Sequence, residues 1–226
     1  MITKINLPDS IKTATKRFAF KYLKLGAPKY SYNIEPIQLT TIINELIRLE
    51  NVIGNILEIG VARGMTSRFI CEHFKTHPFN DIFYALDTFD SFKDEDVNFE
   101  IQERGKPLSG QLGAFGYNDY KTWCSNFKQY DFVQPIKCDC ASFDYKSLYP
   151  IKFTFLDVDL YQPTRKALPK IFDSTVDGGV IIVDDVKEND PYDGSSQAYL
   201  EFCDTLNVEP KFIGNKCGLI YKSDNI

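Results

Sequence analysis

The sequence is poor in histidine and has no excess of basic residues. Its two histidines, His73 and His77, lie in or just after a predicted helix, and neither follows a strand. Nucleophilic schemes built on Ser/His/Asp or Cys/His need a histidine at the site, so we assign none of them. With 26 Lys and Arg against 31 Asp and Glu, the net charge is −5. We therefore expect no nucleic-acid partner.

Long hydrophobic runs and paired cysteine motifs are also absent. No apolar run approaches the length of a membrane-spanning helix, and residues 1–10 hold only short apolar pieces, unlike a secretory signal. The six cysteines show no CxxC spacing, and Cys138 and Cys140 are separated by a single residue. This pattern favours reduced thiols over disulfides or zinc. We therefore expect a cytoplasmic protein without a membrane span.

Length and composition predict one α/β domain. The chain has 226 residues, of which 43% are hydrophobic and 25% charged, as in an ordinary globular protein. Residues 1–34 are predicted to be an N-terminal extension, with a basic, aromatic helix near 11–25 followed by a loop. This extension is a candidate contact with the domain or with a second subunit, which would make the protein a homo-oligomer. Residues 35–226 are predicted to form the domain itself.

Acidic residues follow two apolar runs in the second half of the chain. Asp157 and Asp159 come after KFTFL, while Asp184 and Asp185 come after VIIV. If the two strands are parallel neighbours, the four carboxylates meet at the sheet edge where α/β proteins bind ligands. Such a cluster needs a proton or a cation, and Mg2+ prefers oxygen ligands. One such pair alone would be read as strand-end or helix-cap residues, but two matching pairs favour a metal site.

A glycine-bearing turn in the first half is a candidate cofactor loop. The strand 55–59 leads through Gly60 and Gly64 into a helix, an arrangement that brings a ligand close to the backbone and to free N–H groups. A tight turn is the simpler reading of two glycines alone. Asp87, which ends the next strand, is suited to accept hydrogen bonds from ribose hydroxyls. Because Ala62 interrupts GxGxxG, an NAD-dependent oxidoreductase fits less well.

Two further segments have less regular patterns. Residues 90–117 are rich in charge and glycine, and we predict a lid-like loop, inserted in the domain, that orders on substrate binding. Asp139 follows the third predicted strand, near 132–137. It is positioned either to reach an adenine amine or simply to stabilise a turn.

Four motifs together resemble the macrocin O-methyltransferase (TylF-like) family of class I S-adenosylmethionine-dependent enzymes. They are EIGVARG at 58–64 with Ser67, DTF at 87–89, LDVDLY at 156–161 with Thr164, and GGVIIVDD at 178–185. The resemblance extends from about residue 35 to the C-terminus. It implies a Rossmann-like, seven-stranded, mostly parallel sheet with an antiparallel last strand and helices on both faces. It also implies S-adenosylmethionine and Mg2+ as cofactors.

The resemblance also implies roles for individual residues. The residues expected around the methionyl end of the cofactor are Glu58, Gly60, Gly64 and Ser67. Asp87 is expected to hold the ribose and Asp139 to lie near the adenine. The expected Mg2+ ligands are Asp157, Asp184 and Asp185. Asp159 is then the candidate general base, or a further ligand.

The predicted function is Mg2+-assisted methylation of a hydroxyl on a sugar, a glycosylated natural product or a polysaccharide. The acceptor would thus be a small molecule or a glycan. One alternative is a catechol-type methyltransferase, with an apolar slot supplied by Phe89, Phe92 or Trp123. Another is a non-catalytic nucleoside-binding module of Rossmann-like fold. The four carboxylates argue against the second alternative, because burying charge without a function is costly.

Overall fold

The structure is a computed structural model that describes residues 8–23, 25, 30, 32, 34–77, 80–108, 110, 113–187 and 190–223. The chain divides into two compact units, Met1–Asn33 and Ile34–Ile226. The first contains helix α1 (Asp9–Tyr22), whose Phe18 and Tyr22 are exposed. Among the described residues no helix is both long and apolar enough to cross a membrane.

The second unit alternates strands and helices along the chain. Its helices are α2 (Pro36–Arg48), α3 (Met65–Thr76), α4 (Asp94–Gln102), α5 (Tyr120–Phe127), α6 (Tyr161–Ser174) and α7 (Gly194–Thr205). Its strands are β1 (Asn55–Ile59), β2 (Phe83–Asp87), β3 (Val133–Lys137), β4 (Ile151–Leu156), β5 (Thr175–Val183), β6 (Lys211–Ile213) and β7 (Cys217–Tyr221).

The described strands form one seven-stranded sheet in the order β3-β2-β1-β4-β5-β7-β6. Strands β1 to β5 pair in parallel, whereas β7 is antiparallel to both β5 and β6. This confirms the predicted fold, including its antiparallel last strand. The chain order reverses between β1 and β4, so the carboxyl ends of these two strands flank the crevice where such sheets bind ligands.

Strand β4 is the centre of the core. All six of its residues are buried, and because alternate side chains of a strand point to opposite faces, both faces of the sheet are covered there. Phe153 and Phe155 are fully buried. Truncating either one to alanine would cost about 3–5 kcal/mol of stability. This rigid strand carries the loop with Asp157 and Asp159.

The segment 90–117 contains a helix that the sequence analysis missed. Helix α4 begins with Asp94, Glu95 and Asp96, and acidic side chains stabilise the first turn of a helix. The loop prediction is thus incorrect for residues 94–102. Val97 and Glu100 are buried, so this part of the segment packs against the domain. Closure of the segment over a substrate stays a prediction.

Candidate active site

The glycine turn after β1 packs closely against neighbouring segments of the chain, while the predicted approach of a ligand to its backbone stays a prediction. Gly60 and Gly64 have φ of +85° and +82°, a region that favours glycine. A Cβ on Gly60 would lie 1.7 Å from the carbonyl oxygen of Asp157, and one on Gly64 would lie 2.6 Å from the Phe127 ring. Neither position therefore accepts a side chain. The contact at Gly60 also brings the loop after β1 against the loop after β4.

Asp87 organises this glycine turn. Its Oδ2 accepts hydrogen bonds from the backbone N–H groups of Val61 at 2.8 Å and Ala62 at 2.9 Å, while Oδ1 accepts from Phe89 N–H at 2.6 Å. Thr88 Oγ1 is a fourth donor, at 3.3 Å. Burial raises the pKa of Asp87, although these hydrogen bonds oppose the shift. The expected ribose contact stays a prediction; it would have to share a carboxylate that already has four donors.

Glu58 and Ser67 leave polar atoms buried beside the turn. Glu58 Oε2 and Ser67 Oγ have no partner with hydrogen-bond geometry in the described part of the chain, and both side chains are buried. Burial raises the pKa of Glu58 from 4.5 to about 8, with a smaller opposing effect from Ser67. Buried polar atoms are nearly always hydrogen-bonded, so these two are suited to bond each other or to receive a polar ligand.

Asp139 stabilises a turn after β3. Its carboxylate accepts hydrogen bonds from Lys93 Nζ at 2.7 Å, Ser142 Oγ at 2.9 Å and the N–H of Ala141 at 3.1 Å. Burial raises the pKa of Asp139, but the contacts with Lys93 and Ser142 outweigh it and the net shift is downward. The turn role that the sequence left open is therefore present. The adenine contact stays a prediction.

The acidic residues after β4 and β5 come together. Leu156 and Val183, the last residues of the two strands, are paired in parallel register, as the sequence analysis required. Asp157, Asp184 and Asp185 follow directly, and one oxygen of each lies within 4.8 Å of the others. These three residues are called the acidic cluster below. An all-oxygen set at this spacing fits a hard divalent cation.

Burial and mutual repulsion dominate the electrostatics here. Burial is the largest cause that raises the pKa of Asp157 and Asp159 well above the ordinary value, and neighbouring carboxylates raise both further. The pKa of Asp184 is raised in the same way. Asp159 and Asp185 also have φ of +59° and +54°, a conformation that non-glycine residues adopt at a cost. The fold thus holds these carboxylates together against both strain and repulsion.

Lys216 and Gln38 contact the acidic cluster, and the sequence analysis missed both. Lys216 Nζ lies 2.9 Å from Asp184 Oδ2 and 2.9 Å from Asp185 Oδ1. Gln38 Nε2, from α2, donates to Asp184 Oδ1 at 2.8 Å. Although burial lowers the pKa of Lys216, the two carboxylates raise it above its ordinary value. No local motif reveals such contacts, because the partners lie far apart in sequence.

Helix α4 supports the loop that carries Asp159. Glu100 Oε1 accepts a hydrogen bond from the N–H of Tyr161, the first residue of α6, at 2.6 Å. Arg104 pairs with Glu100 and, at 2.9 Å, with Asp193. From the start of α7, Ser195 N–H donates to the Asp159 carbonyl oxygen at 3.3 Å. The inserted segment and α7 therefore fix the end of this loop.

Three partly exposed aromatic residues, Phe92, Phe115 and Tyr192, lie close to one another. The Phe92 ring centroid lies 5.1 Å from that of Phe115 and 6.4 Å from that of Tyr192. Burial raises the pKa of Tyr192, and the charges of Asp159 and Asp185 add to the shift, so this ring lies near the carboxylates. Phe89 and Trp123 are only 2% exposed and pack against each other. Of the three aromatics predicted to form an apolar slot, only Phe92 is accessible.

Comparison with protein families identifies the chain. The family model of macrocin O-methyltransferases (TylF) matches residues 37–212. The chain belongs to this family. It is an S-adenosylmethionine-dependent O-methyltransferase. Comparison with curated protein sequences gives no match.

Solved structures share the fold of this macrocin O-methyltransferase family member. The O-methyltransferase NovP is 18% identical, with a TM-score of 0.64 over 82% of this chain and 78% of its own. CalS11, a calicheamicin methyltransferase, is 16% identical, with a TM-score of 0.68 over 97% and 95%. An O-methyltransferase from Bacillus cereus in complex with SAH is 15% identical, with a TM-score of 0.51 over 97% and 94%.

The predicted site residues of this family member fall into two groups. The first lies on the β1, β2 and β3 side and comprises Glu58, Gly60, Gly64, Ser67, Asp87 and Asp139. The second follows β4 and β5 and comprises Asp157, Asp159, Asp184 and Asp185. Gly60 and Asp157 are in contact, so the two groups meet where the chain order reverses. The individual roles of these residues stay predictions.

Proposed function

We propose that the protein transfers the methyl group of S-adenosylmethionine to a hydroxyl of a sugar, a glycosylated natural product or a polysaccharide, assisted by a divalent cation such as Mg2+. The observation that carries this proposal is the convergence of Asp157, Asp184 and Asp185 beside Asp159 and the glycine turn. Membership of the macrocin O-methyltransferase family supports the sugar acceptor. CalS11, described as a TDP-rhamnose 3′-O-methyltransferase, shares the fold.

In the proposed arrangement the acidic cluster holds the cation. Its carboxylate oxygens match the ligand preference of Mg2+. A bound Mg2+ would supply Lewis-acid chemistry, orienting two neighbouring hydroxyls and lowering the pKa of the one to be methylated. On the opposite side of the crevice, Glu58 and Ser67 offer buried polar atoms to the methionyl end of the cofactor. Gly60, which packs against the carbonyl oxygen of Asp157, connects this side of the crevice with the acidic cluster.

Asp159 is the proposed proton acceptor. An alkyl hydroxyl is a poor nucleophile at neutral pH, so the transfer needs a group that takes its proton as the oxygen attacks the sulfonium methyl carbon. Burial and the neighbouring Asp185 raise the pKa of Asp159 in the metal-free protein, and a bound divalent cation would lower it again toward the ionised form that accepts a proton. The bond from Ser195 N–H and the Glu100 contact at Tyr161 fix its loop. Such fixation matters because the reacting groups must be aligned.

The acceptor is proposed to be a vicinal diol. Phe92, Phe115 and Tyr192 offer partly exposed rings on which the apolar face of a sugar can pack. The same rings favour an aromatic diol as the second candidate, because a flat catechol also packs on aromatic side chains. A catechol is more acidic than a sugar hydroxyl and so depends less on Asp159. Loss of Asp159 should therefore reduce turnover more with a sugar acceptor than with a catechol.

The test is methyl transfer from labelled cofactor to a panel of nucleotide-linked sugars and catechols. Each reaction is run with excess chelator and then with Mg2+ restored. The expected result is transfer to a sugar diol that chelator abolishes and Mg2+ recovers, while S-adenosylhomocysteine binding persists in chelator. Full activity in excess chelator contradicts the proposed metal role. Transfer to catechols alone selects the second candidate.

A further inference from the structure

The turn between β6 and β7 brings a cation into the acidic cluster. Lys216 precedes β7, and its carbonyl oxygen accepts a hydrogen bond from Val186 N–H at 2.8 Å. This bond ties the backbone of Lys216 to the segment that follows Asp184 and Asp185. Its Nζ then lies 2.9 Å from an oxygen of each carboxylate. With 22% of its side chain exposed, Lys216 retains a path to solvent.

The hydrogen bonds of Asp184 leave little room for a metal. Its Oδ1 accepts from Gln38 Nε2 at 2.8 Å and from Cys217 Sγ at 3.3 Å, and its Oδ2 accepts from Lys216. Asp185 offers Oδ1 to the same ammonium. The lysine therefore uses oxygens from two of the three carboxylates that a divalent cation would need. Asp157 is the member of the acidic cluster that is not hydrogen-bonded to Lys216.

We infer that Lys216 is an internal counter-cation that competes with the divalent metal for the acidic cluster, and that its ammonium withdraws from Asp185 when the metal binds. This inference rests on the proposed metal-assisted function. Two cations at hydrogen-bond distance from the same carboxylates repel each other strongly in a partly buried site. Lys216 thus keeps the carboxylates together without metal and weakens metal binding, so that it sets the metal affinity of the enzyme.

The first test compares Mn2+ affinity in the wild type, Lys216→Met and Lys187→Met, measured by calorimetry. Methionine keeps the length of the side chain without its charge. Lys187 is the matched control, because it lies two residues after Asp185 but is exposed and pairs with Asp190 at 3.4 Å. Lys216→Met should bind Mn2+ at least about 10-fold more tightly than the wild type, whereas Lys187→Met should change affinity by no more than about 2-fold.

A second test uses the wild-type protein and does not depend on the folding of a variant. Trace acetylation with peptide mass spectrometry reports how accessible each lysine ammonium is. Saturating Mg2+ should increase the acetylation of Lys216 several-fold and leave that of Lys187 unchanged. Unchanged or slower acetylation of Lys216 in saturating Mg2+ overturns the inference.

The outcomes separate this inference from the proposed function. If the wild type and Lys216→Met bind Mn2+ with equal affinity, Lys216 is not a competitor, while the metal site itself stands. If neither protein binds Mn2+, the metal-assisted function fails and the inference fails with it. Tighter Mn2+ binding by Lys216→Met, together with increased acetylation of Lys216 when the wild type binds Mg2+, supports both the metal site and the competing role of Lys216.

Discussion

The two halves of the carboxyl edge of the sheet use acidic residues in opposite ways. On the β1–β2 side, Asp87 accepts hydrogen bonds from three backbone N–H groups and holds the glycine turn in place. On the β4–β5 side, Asp157 and Asp159 face other carboxylates, and their pKa values are raised by burial and by that repulsion. Among the described residues, Lys216 is the lysine hydrogen-bonded to the acidic cluster.

This difference teaches how one fold prepares two binding sites. In the first half, backbone N–H groups already satisfy the carboxylate of Asp87 without a ligand. Glu58 Oε2 and Ser67 Oγ are the exceptions, because they lack a partner of hydrogen-bond geometry among the described residues. The second half concentrates negative charge that only a proton or a cation relieves. We therefore expect substitutions in the first half to change cofactor affinity and stability, and those in the second half to change turnover and metal binding.

The largest expected effect belongs to the second half. Asp159→Asn keeps the shape of the side chain, and asparagine tolerates the positive φ at this position. Because the amide cannot accept the proton, kcat should fall about 100-fold or more with little change in cofactor affinity. Asp173→Asn, an exposed position on α6, is the matched control and should retain wild-type turnover. Steady-state kinetics decide, and near-normal turnover in Asp159→Asn would remove this residue from the mechanism.

Asp87→Ala is the corresponding change in the first half. It removes the acceptor for the N–H groups of Val61 and Ala62, which loosens the glycine turn, and it removes any ribose contact. S-adenosylhomocysteine binding should weaken by about 1–3 kcal/mol, and the free protein should unfold at a lower temperature. Thermal unfolding with and without the ligand measures both effects. An unchanged ligand-induced shift would exclude Asp87 from cofactor binding.

Substitutions of Glu100 test whether helix α4 supports the loop that carries Asp159. Glu100→Ala removes the acceptor of Tyr161 N–H and leaves Arg104 without one carboxylate, so the loop of Asp159 loses support. We expect kcat to fall roughly 10-fold with cofactor affinity unchanged. Glu100→Gln, which keeps an oxygen for Tyr161, should restore most of the turnover. Equal kcat in both variants and the wild type would assign Glu100 to stability alone.

A pH dependence of stability is expected in the first half. Glu58 has an ordinary pKa of 4.5 and a folded-state pKa of about 8. Between these values the folded protein binds the proton that the unfolded chain has lost, so the contribution of Glu58 to stability declines as pH rises and is lost above about pH 8. Between pH 4.5 and about 8, the free energy of unfolding of the wild type should fall by about 1 kcal/mol per pH unit relative to that of Glu58→Gln.

Denaturant unfolding at pH 5, 6, 7 and 8 measures that difference. Glu103→Gln changes an exposed carboxylate outside the sequence motifs. It serves as the control and should show the same pH dependence of stability as the wild type. Parallel curves for the wild type and Glu58→Gln would show that Glu58 has no raised pKa in the folded protein.

The sequence predicted the features that follow from strand ends. The apolar runs before Asp157 and Asp184 indicated parallel strands, and a parallel pair must bring the residues at its carboxyl ends together. Long-range partners left no such signal: Gln38 reaches Asp184 across 146 residues of sequence and Lys216 across 32. Helix α4 was missed because the segment DEDVNFEIQ has few apolar residues to reveal a helical period.

The most direct test of the account is the location of a cation at the acidic cluster. Crystals grown with S-adenosylhomocysteine and soaked in Mn2+ would give an anomalous signal at the metal position. The account predicts one strong peak with carboxylate oxygens of Asp157, Asp184 and Asp185 at about 2.0–2.6 Å, and Lys216 Nζ no longer bonded to Asp185. If saturating Mn2+ gives no anomalous peak at these residues, and Lys216 Nζ is still bonded to Asp185, the account is contradicted.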